Sequence, residues 1–500
     1  MNAPKASGIY NVIVIGAGTA GLVTAAGTAG LGGRVALIER NKMGGDCLNF
    51  GCVPSKALIS SARLAQQMRE AGQWGLRNQE PQFEFREVME RMRARRAKIA
   101  PNDSQERFES LGVDVFRGEA KFVSPHEIQI SPSPQSSSLG RGGREAPGEG
   151  SAFTLRAKNF VVATGSRAAI PKIEGIEDVP FFTNETVFDE LHEKPETMVV
   201  LGGGPVGCEL GQAFSRLGVK ITILQNEDQL LPPEDRDVAE FIAKRFAAEG
   251  IDVQLDAETK RVRSEAGTVI VETSGGRTTA DALLLAAGRI PNIETLNLGA
   301  AGVKHTQRGV QVNAYMQTSQ PHIYAAGDVA NRLKFTHTAD LTARAVVRNI
   351  LMPLQLLRQR VDTALVPWVT YTDPEVAHVG LGEKEAMRLG KLYDLFIVRL
   401  EELDRAVVES EEAGFAKIVT RKGSDRILGA TIIAPHAGDL IHEFVVAMNA
   451  GIGLGKLAGM VHAYPTLAEV ARKAGDQFNK TRLTPRAKKI FEWRYRRARQ

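Results

Sequence analysis

Three observations predict an α/β fold with two successive Rossmann-like dinucleotide-binding halves. The stretch YNVIVIGAGTAGLVTA, from Tyr10, passes from a β-branched strand through glycines into small helix-forming residues. The same order returns in MVVLGGGPVGCELG, from Met198. The interval from first glycine to the end of the following strand is the same in both copies, Gly16 to Glu39 and Gly202 to Gln225.

In the first copy, Gly16, Gly18 and Gly21 let the backbone turn tightly and approach a pyrophosphate at the helix N-terminus. Glu39, at the end of the strand RVALIE, is placed to accept from a ribose hydroxyl. Next comes GGDCLNFGCVPSK, Gly44 to Lys56, which holds two of the chain's three cysteines, Cys47 and Cys52. By their residues alone these are either a redox pair or two buried unpaired thiols. Pro54 suits the first turn of a helix continuing through SKALISSARLAQQM. In the second copy, Gly202, Gly204 and Gly207 repeat the loop, and Gln225 takes the place of the acid. Neither an acid nor a neighbouring arginine marks that strand end, so NADH and NADPH are both open. Two nucleotide sites in one chain point to electron transfer between them. Cys208, inside the second helix, reads as a small core residue.

The length of 500 residues implies several domains, and the small net charge of +5 excludes no partner class. No apolar run reaches the roughly 18 residues of a membrane span. The N-terminus lacks the pattern of a signal peptide. Three cysteines do not make a disulfide framework, and the expected compartment is the cytoplasm.

The paired folds and the CxxxxC stretch resemble the flavin-dependent pyridine nucleotide–disulfide oxidoreductases, over roughly Tyr10 to Thr481. VVATGS, Val161 to Ser166, with Thr164, Gly165 and Ser166, resembles the return to the flavin domain. AAGRIPN, with Gly288, resembles the exit from the nicotinamide domain. IYAAGDV, with Gly327 and Asp328, resembles the second flavin motif, whose acid contacts the ribityl chain. YTDPEVAHVG, from Tyr371, resembles the start of a C-terminal α+β dimerisation domain. The resemblance implies FAD, NADPH or NADH, a homodimer, and a redox disulfide between Cys47 and Cys52. Reduced, Cys52 would be the thiolate against the flavin and Cys47 the thiol that meets substrate. It also implies that Lys56 lies near the flavin and pairs with Glu209.

Disulfide reductases of this family carry a His-Pro-Thr-x-x-Glu motif whose histidine protonates the departing thiol. Here the stretch is VHAYPTLAEV: Pro465, Thr466 and Glu469 match, Tyr464 replaces the histidine, and His462 lies two residues earlier. A phenol, with a pKa of about 10, is a poor base at neutral pH. Mercuric reductases resemble this chain at that point, because a soft metal ion held by Cys47 and Cys52 needs no such histidine. They usually carry C-terminal cysteines, and none follows Cys208 here. The expected function is therefore mercuric-reductase-like. The alternatives are a dihydrolipoamide dehydrogenase-like disulfide reductase and a membrane-surface flavin module reducing quinone.

The expected domains are 1–195 and 286–360 for FAD, 196–285 for NAD(P), 361–480 for dimerisation, and a tail at 481–500. A Ser/Pro/Gly-rich segment at 131–150 reads as a disordered insertion in a hairpin. EVMERMRARRAKIAPNDSQERFESLG reads as a helix with a solvated basic face. The tail mixes Arg and Lys with Ile490, Phe491, Trp493 and Tyr495, which reads first as a solvated tail packing a few aromatics on the dimer and second as a segment for the inner face of an anionic membrane. No sequence-specific contact with nucleic acid is expected.

Overall fold

The computed structural model describes residues 8–132, 152–352 and 354–499. The insertion expected at 131–150 falls outside the described residues apart from its base. There Glu127–Ser131 and Phe153–Val162 pair antiparallel.

Contacts divide the chain into two units. One comprises the segment up to Ser61 with Phe83–Gly202 and Thr259–Thr363; the other comprises Ala62–Gln82, Gly203–Glu258 and the segment from Ala364.

The first unit is centred on the strand Tyr10–Ile15, which pairs parallel with Val35–Glu39 on one side and with Phe153–Val162 on the other. Asp114–Arg117 and Ile323–Ala325 extend the parallel sheet outward. Parallel strands are covered on both faces, so they need near-continuous apolar runs, and NVIVI and VALIE supply them. One face packs on the helices Thr19–Gly30 and Thr336–Leu351 through Ala20, Ala25, Ala343 and Val346. The other face carries Phe122, Ile128, Ile130 and Phe160. The strand Thr197–Leu201 pairs parallel with Ala282–Leu285 in the same unit.

In the second unit, Lys220–Leu224 pairs parallel with Asp252–Gln254. The helices Pro205–Arg216 and Arg236–Ala248 belong with them. A separate five-stranded antiparallel sheet runs in the order Trp368–Thr370, Glu375–Gly380, Ile427–Ala434, Phe415–Arg421, Tyr393–Arg399. The helices Ala437–Asn449 and Glu469–Thr481 share its core, with Val398, Ile418, Ile432, Phe444 and Phe478. This is the expected α+β domain.

Two local expectations are corrected. The basic helix stops at Ile99, a 3-10 turn covers Ala100–Asp103, and a short helix follows at Gln105–Ser110. Pro101 cannot continue the helix, and Ser104 caps the next by accepting from the Arg107 N–H at 3.2 Å. The basic face is also not simply solvated. Arg93 donates to the Phe188 carbonyl at 3.0 Å and Arg96 to the Asn49 carbonyl at 2.9 Å. The tail, in turn, is a second helix, Pro485–Arg497.

Arg216 is a buried charge of the second unit. Its guanidinium holds Glu249 through Nε at 2.8 Å and Nη2 at 2.7 Å, and Asp373 through Nη1 at 2.6 Å. Arg216→Met removes the cation that the two carboxylates share. Arg245 stays on Glu249 at 2.6 Å and Arg63 near Asp373 at 3.7 Å, so the expected loss of stability is about 3 kcal/mol, the lower end for a broken buried pair. Arg236→Met, in exposed pairs with Asp228 and Glu240, costs less than about 1 kcal/mol. Urea unfolding of the two variants measures the contrast.

Candidate active site

The first glycine loop is shaped by lack of space. Gly16 has φ +104, and a Cβ there would lie 2.5 Å from the Ala163 carbonyl oxygen. A Cβ at Gly21 would lie 1.8 Å from the Gly16 carbonyl oxygen. Gly18 is different: it is the residue before the helix Thr19–Gly30, and a Cβ there would meet only the Gly45 Cα at 3.8 Å. The helix N-terminus therefore has open room in front of it, as an anionic pyrophosphate requires. Glu39 is buried, and its carboxylate accepts from the Ala17 and Asn41 N–H groups, each at 2.6 Å. Burial pushes its pKa up, against those hydrogen bonds. An open cleft is bounded by Gly16, Glu39, Gly118, Thr164 and Leu296. These features fit the adenosine and pyrophosphate of a dinucleotide.

The second loop repeats the geometry. Gly202 has φ +115, and a Cβ would lie 2.5 Å from the Ala286 carbonyl oxygen. Gly204 precedes the helix Pro205–Arg216, and Gly207 is buried within it. The Gln225 side chain accepts from the Gly203 N–H at 2.9 Å. Its sequence separation from that amide matches that of Glu39 from the Ala17 amide. Gln225 thus braces the loop.

The redox stretch is drawn against the first loop by two glycines. Gly44 and Gly45 have φ +85 and +58, the Gly44 N–H donates to the Ala17 carbonyl at 3.0 Å, and a Cβ at Gly45 would lie 2.5 Å from the Gly18 Cα. A short helix, Gly45–Asn49, carries Cys47, and Cys52 opens the helix Cys52–Arg69. Asn49 Nδ2 donates to the Met43 and Gly45 carbonyls at 2.9 Å, which locks the turn between them.

The two cysteines are free thiols in the structure, Cys47 half-buried and Cys52 exposed. Cys52 Sγ lies 3.4 Å from Thr336 Oγ1, the first residue of the helix Thr336–Leu351. Two helix N-termini therefore converge on one sulfur, and their dipoles favour the thiolate. A hydrogen bond from Cys47, opposed by burial and aided by Thr336 and the Lys56 charge, lowers the Cys52 thiol to about 6. The same bond, with burial, pushes the Cys47 thiol up. Cys208 is buried, and burial pushes its thiol up too.

Asp46 opposes the Cys52 charge, and Arg289 is paired with it at 3.0 Å. Arg289 Nε also donates to Ser166 Oγ at 2.8 Å, and Ser166 Oγ donates to Asp328 at 2.7 Å. Burial pushes the Asp328 carboxyl up. Nearby, Thr164 and Asn292 exchange hydrogen bonds at 2.6 and 2.9 Å, and the Asn292 N–H donates to the Gly165 carbonyl. Gly288 has φ +108, and Gly327, at φ +77, donates its N–H to Thr342 Oγ1 at 3.1 Å. The structure thus gathers Cys47, Cys52, Ser166 and Asp328 into one connected set. Sequence reasoning missed Thr336, Arg289 and Asp46. Arg289 was visible only as part of the AAGRIPN motif, and nothing local marked Thr336.

The remaining candidates lie in the second unit. Tyr464 is 70% exposed, and its hydroxyl donates to Asp404 at 2.7 Å, which raises its pKa. His462 has a buried side chain, with Nε2 2.9 Å from Glu443 and Nδ1 3.0 Å from the Met460 carbonyl. Glu469 is buried and pairs with Arg472 at 2.5 Å. Glu209 is buried and accepts the Tyr371 N–H at 2.9 Å. Lys56 and Glu209 fall in different units.

Comparison with known proteins agrees with this geometry. Residues 10–343 match the pyridine nucleotide-disulphide oxidoreductase family, and residues 366–474 match its dimerisation domain. A mercuric reductase of Staphylococcus aureus is 30% identical over 478 residues, covering 95% of this chain and 83% of that protein. A dihydrolipoyl dehydrogenase of Geobacillus stearothermophilus is 33% identical over 476 residues, covering 93% and 95%. The Cu(II) complex of the HOCl-induced flavoprotein disulfide reductase RclA from Escherichia coli superposes with a TM-score of 0.82 at 26% identity. It covers 94% of this chain and 99% of that one.

Two predictions follow from the geometry. Gly18→Ala is sterically free, so the variant folds with unchanged circular dichroism, but the methyl stands where the pyrophosphate must come close. Its affinity for FAD, followed by flavin retention, falls roughly tenfold or more. Thr336→Val removes a hydrogen bond to the thiolate and raises the Cys52 pKa by roughly one unit. Ultraviolet thiolate absorbance against pH, in a Cys47→Ser background, measures it, since the buried Cys208 stays protonated.

Proposed function

Because the chain belongs to the pyridine nucleotide-disulphide oxidoreductase family, we propose that it reduces Hg(II), or a similarly soft ion presented as a thiol complex, at Cys47 and Cys52. Members of the family are FAD-dependent enzymes that use NAD(P)H. Bound FAD supplies the two-electron relay between nicotinamide and cysteine pair; Gly16, Gly18, Gly21, Glu39 and Asp328 are the residues that would hold it.

The chain's own part begins at Cys52. Its thiolate, favoured at neutral pH by Cys47, Thr336 and Lys56, is a soft ligand for the ion. Cys47 keeps its proton until the ion binds, then gives it to one of the departing thiolates and becomes the second ligand. One NAD(P)H supplies two electrons to the ion and a solvent proton goes to the other thiolate, so NAD(P)H, Hg(SR)2 and H⁺ give NAD(P)⁺, Hg(0) and two RSH.

The observation that carries this reading is Tyr464. The position where a disulfide reductase needs a proton donor near neutrality holds a phenol. Its pKa is driven further up by Asp404. Such a group does not protonate and deprotonate thiols at pH 7. His462, with both ring nitrogens engaged, does not take over the task. The match to a dimerisation domain supports a homodimer. In that dimer the exposed Tyr464 of one subunit would serve the cysteine pair of the other.

NADPH oxidation by the FAD-loaded protein, with Hg(II) and excess thiol or with lipoamide, tests the reading. Hg(II) drives turnover and lipoamide does not. Cys47→Ser lowers the Hg(II) rate on the order of a hundredfold or more, because one thiolate cannot hold the ion as two do. Turnover with lipoamide and none with Hg(II) would instead make the enzyme a disulfide reductase.

A further inference from the structure

The helix Pro485–Arg497 is built to persist by itself. Pro485 occupies its first turn, and Thr484 Oγ1 accepts from the Ala487 N–H at 3.2 Å. No residue of the helix is buried. Ile490, Phe491, Trp493 and Tyr495 are 59%, 49%, 58% and 70% exposed. Seven Lys and Arg residues lie between Pro485 and Arg499, against Glu492 alone. Arg497 stands over the Trp493 ring at 5.4 Å.

We propose that this helix docks on an anionic lipid surface and lies in the plane of its headgroups. Four large apolar side chains in water on one short helix call for an apolar partner, and seven cations call for an anionic one. An anionic bilayer interface answers both, and Trp and Tyr are the residues favoured at headgroup depth. A helix of this length is about 20 Å long, too short to cross a hydrocarbon core of about 30 Å. Among the described residues no helix is long and apolar enough to span a membrane. Nucleic acid would neutralise the cations but give Ile490 and Phe491 nothing to do. A second copy of the chain is the weaker occupant for two reasons. The match to the dimerisation domain ends at residue 474, and two such helices repel each other.

The test is co-sedimentation of the full-length, FAD-loaded protein with vesicles of phosphatidylcholine, with or without phosphatidylglycerol. Binding to the anionic vesicles should be stronger by roughly tenfold or more and should weaken with salt. The double variant Phe491→Glu, Trp493→Glu should lose it while keeping its flavin and its dimer size. A chain truncated before Pro485 should behave the same way, which covers misfolding of the double variant. The proposal is overturned by failure of the full-length protein to bind, or by equal binding of the double variant, which would mean charge alone. Dissociation of the dimer in either variant, or tighter binding to duplex DNA than to vesicles, would also overturn it.

Discussion

A thiol is a thiolate at neutral pH only where local groups favour the charge, and a connected set of residues in the first unit meets that need at Cys52. The sulfur sits where the helix Cys52–Arg69 begins and 3.4 Å from the residue where Thr336–Leu351 begins. Unsatisfied N–H groups at both helix starts, the Thr336 hydroxyl, the Cys47 thiol and the Lys56 charge all favour the negative form. Burial alone would disfavour it. The outcome is division of labour between two like residues: Cys52 carries the charge and Cys47 keeps the proton.

That division depends on groups that never touch sulfur. Asp46, adjacent in sequence to Cys47, works against the thiolate. Arg289 engages it and extends through Ser166 to Asp328, the acid of the second flavin motif. Arg96 anchors the same turn from the basic helix by donating to the Asn49 carbonyl. The redox turn is thereby tied to the strand that exits the second nucleotide fold and to the edge of the flavin site. Displacement of any of these anchors changes the field at Cys52 before it changes any contact with substrate.

What was legible in the sequence was what local spacing encodes. The glycine loops could be read because Gly16, Gly21 and Gly202 have no room for a side chain, and steric exclusion of that kind fixes residue type. The cysteine pair was legible only through the resemblance of GGDCLNFGCVPSK to a family motif, since by residues alone two unpaired thiols remained open. Thr336 was not legible: it meets Cys52 across 284 residues, and a threonine at a helix start has a sufficient local explanation in capping. Arg93 and Arg96 looked like a solvated face because charge patterning along one helix does not reveal which carbonyls another segment offers. Gln225 stood in the sequence only as the residue in place of an acid; that its side chain accepts from the Gly203 N–H came from the structure. The tail read as basic and aromatic, but its being a capped and wholly exposed helix came from the structure.

The assignment of charge to Cys52 can be read spectroscopically in the oxidised, FAD-loaded Cys47→Ser and Cys52→Ser variants. A thiolate beside oxidised flavin gives a long-wavelength absorbance, and serine at either position keeps a hydrogen-bond donor. The account predicts the absorbance in Cys47→Ser, fading as the pH falls, and none in Cys52→Ser. Absorbance retained in Cys52→Ser and missing from Cys47→Ser would put the charge on the other sulfur and contradict it.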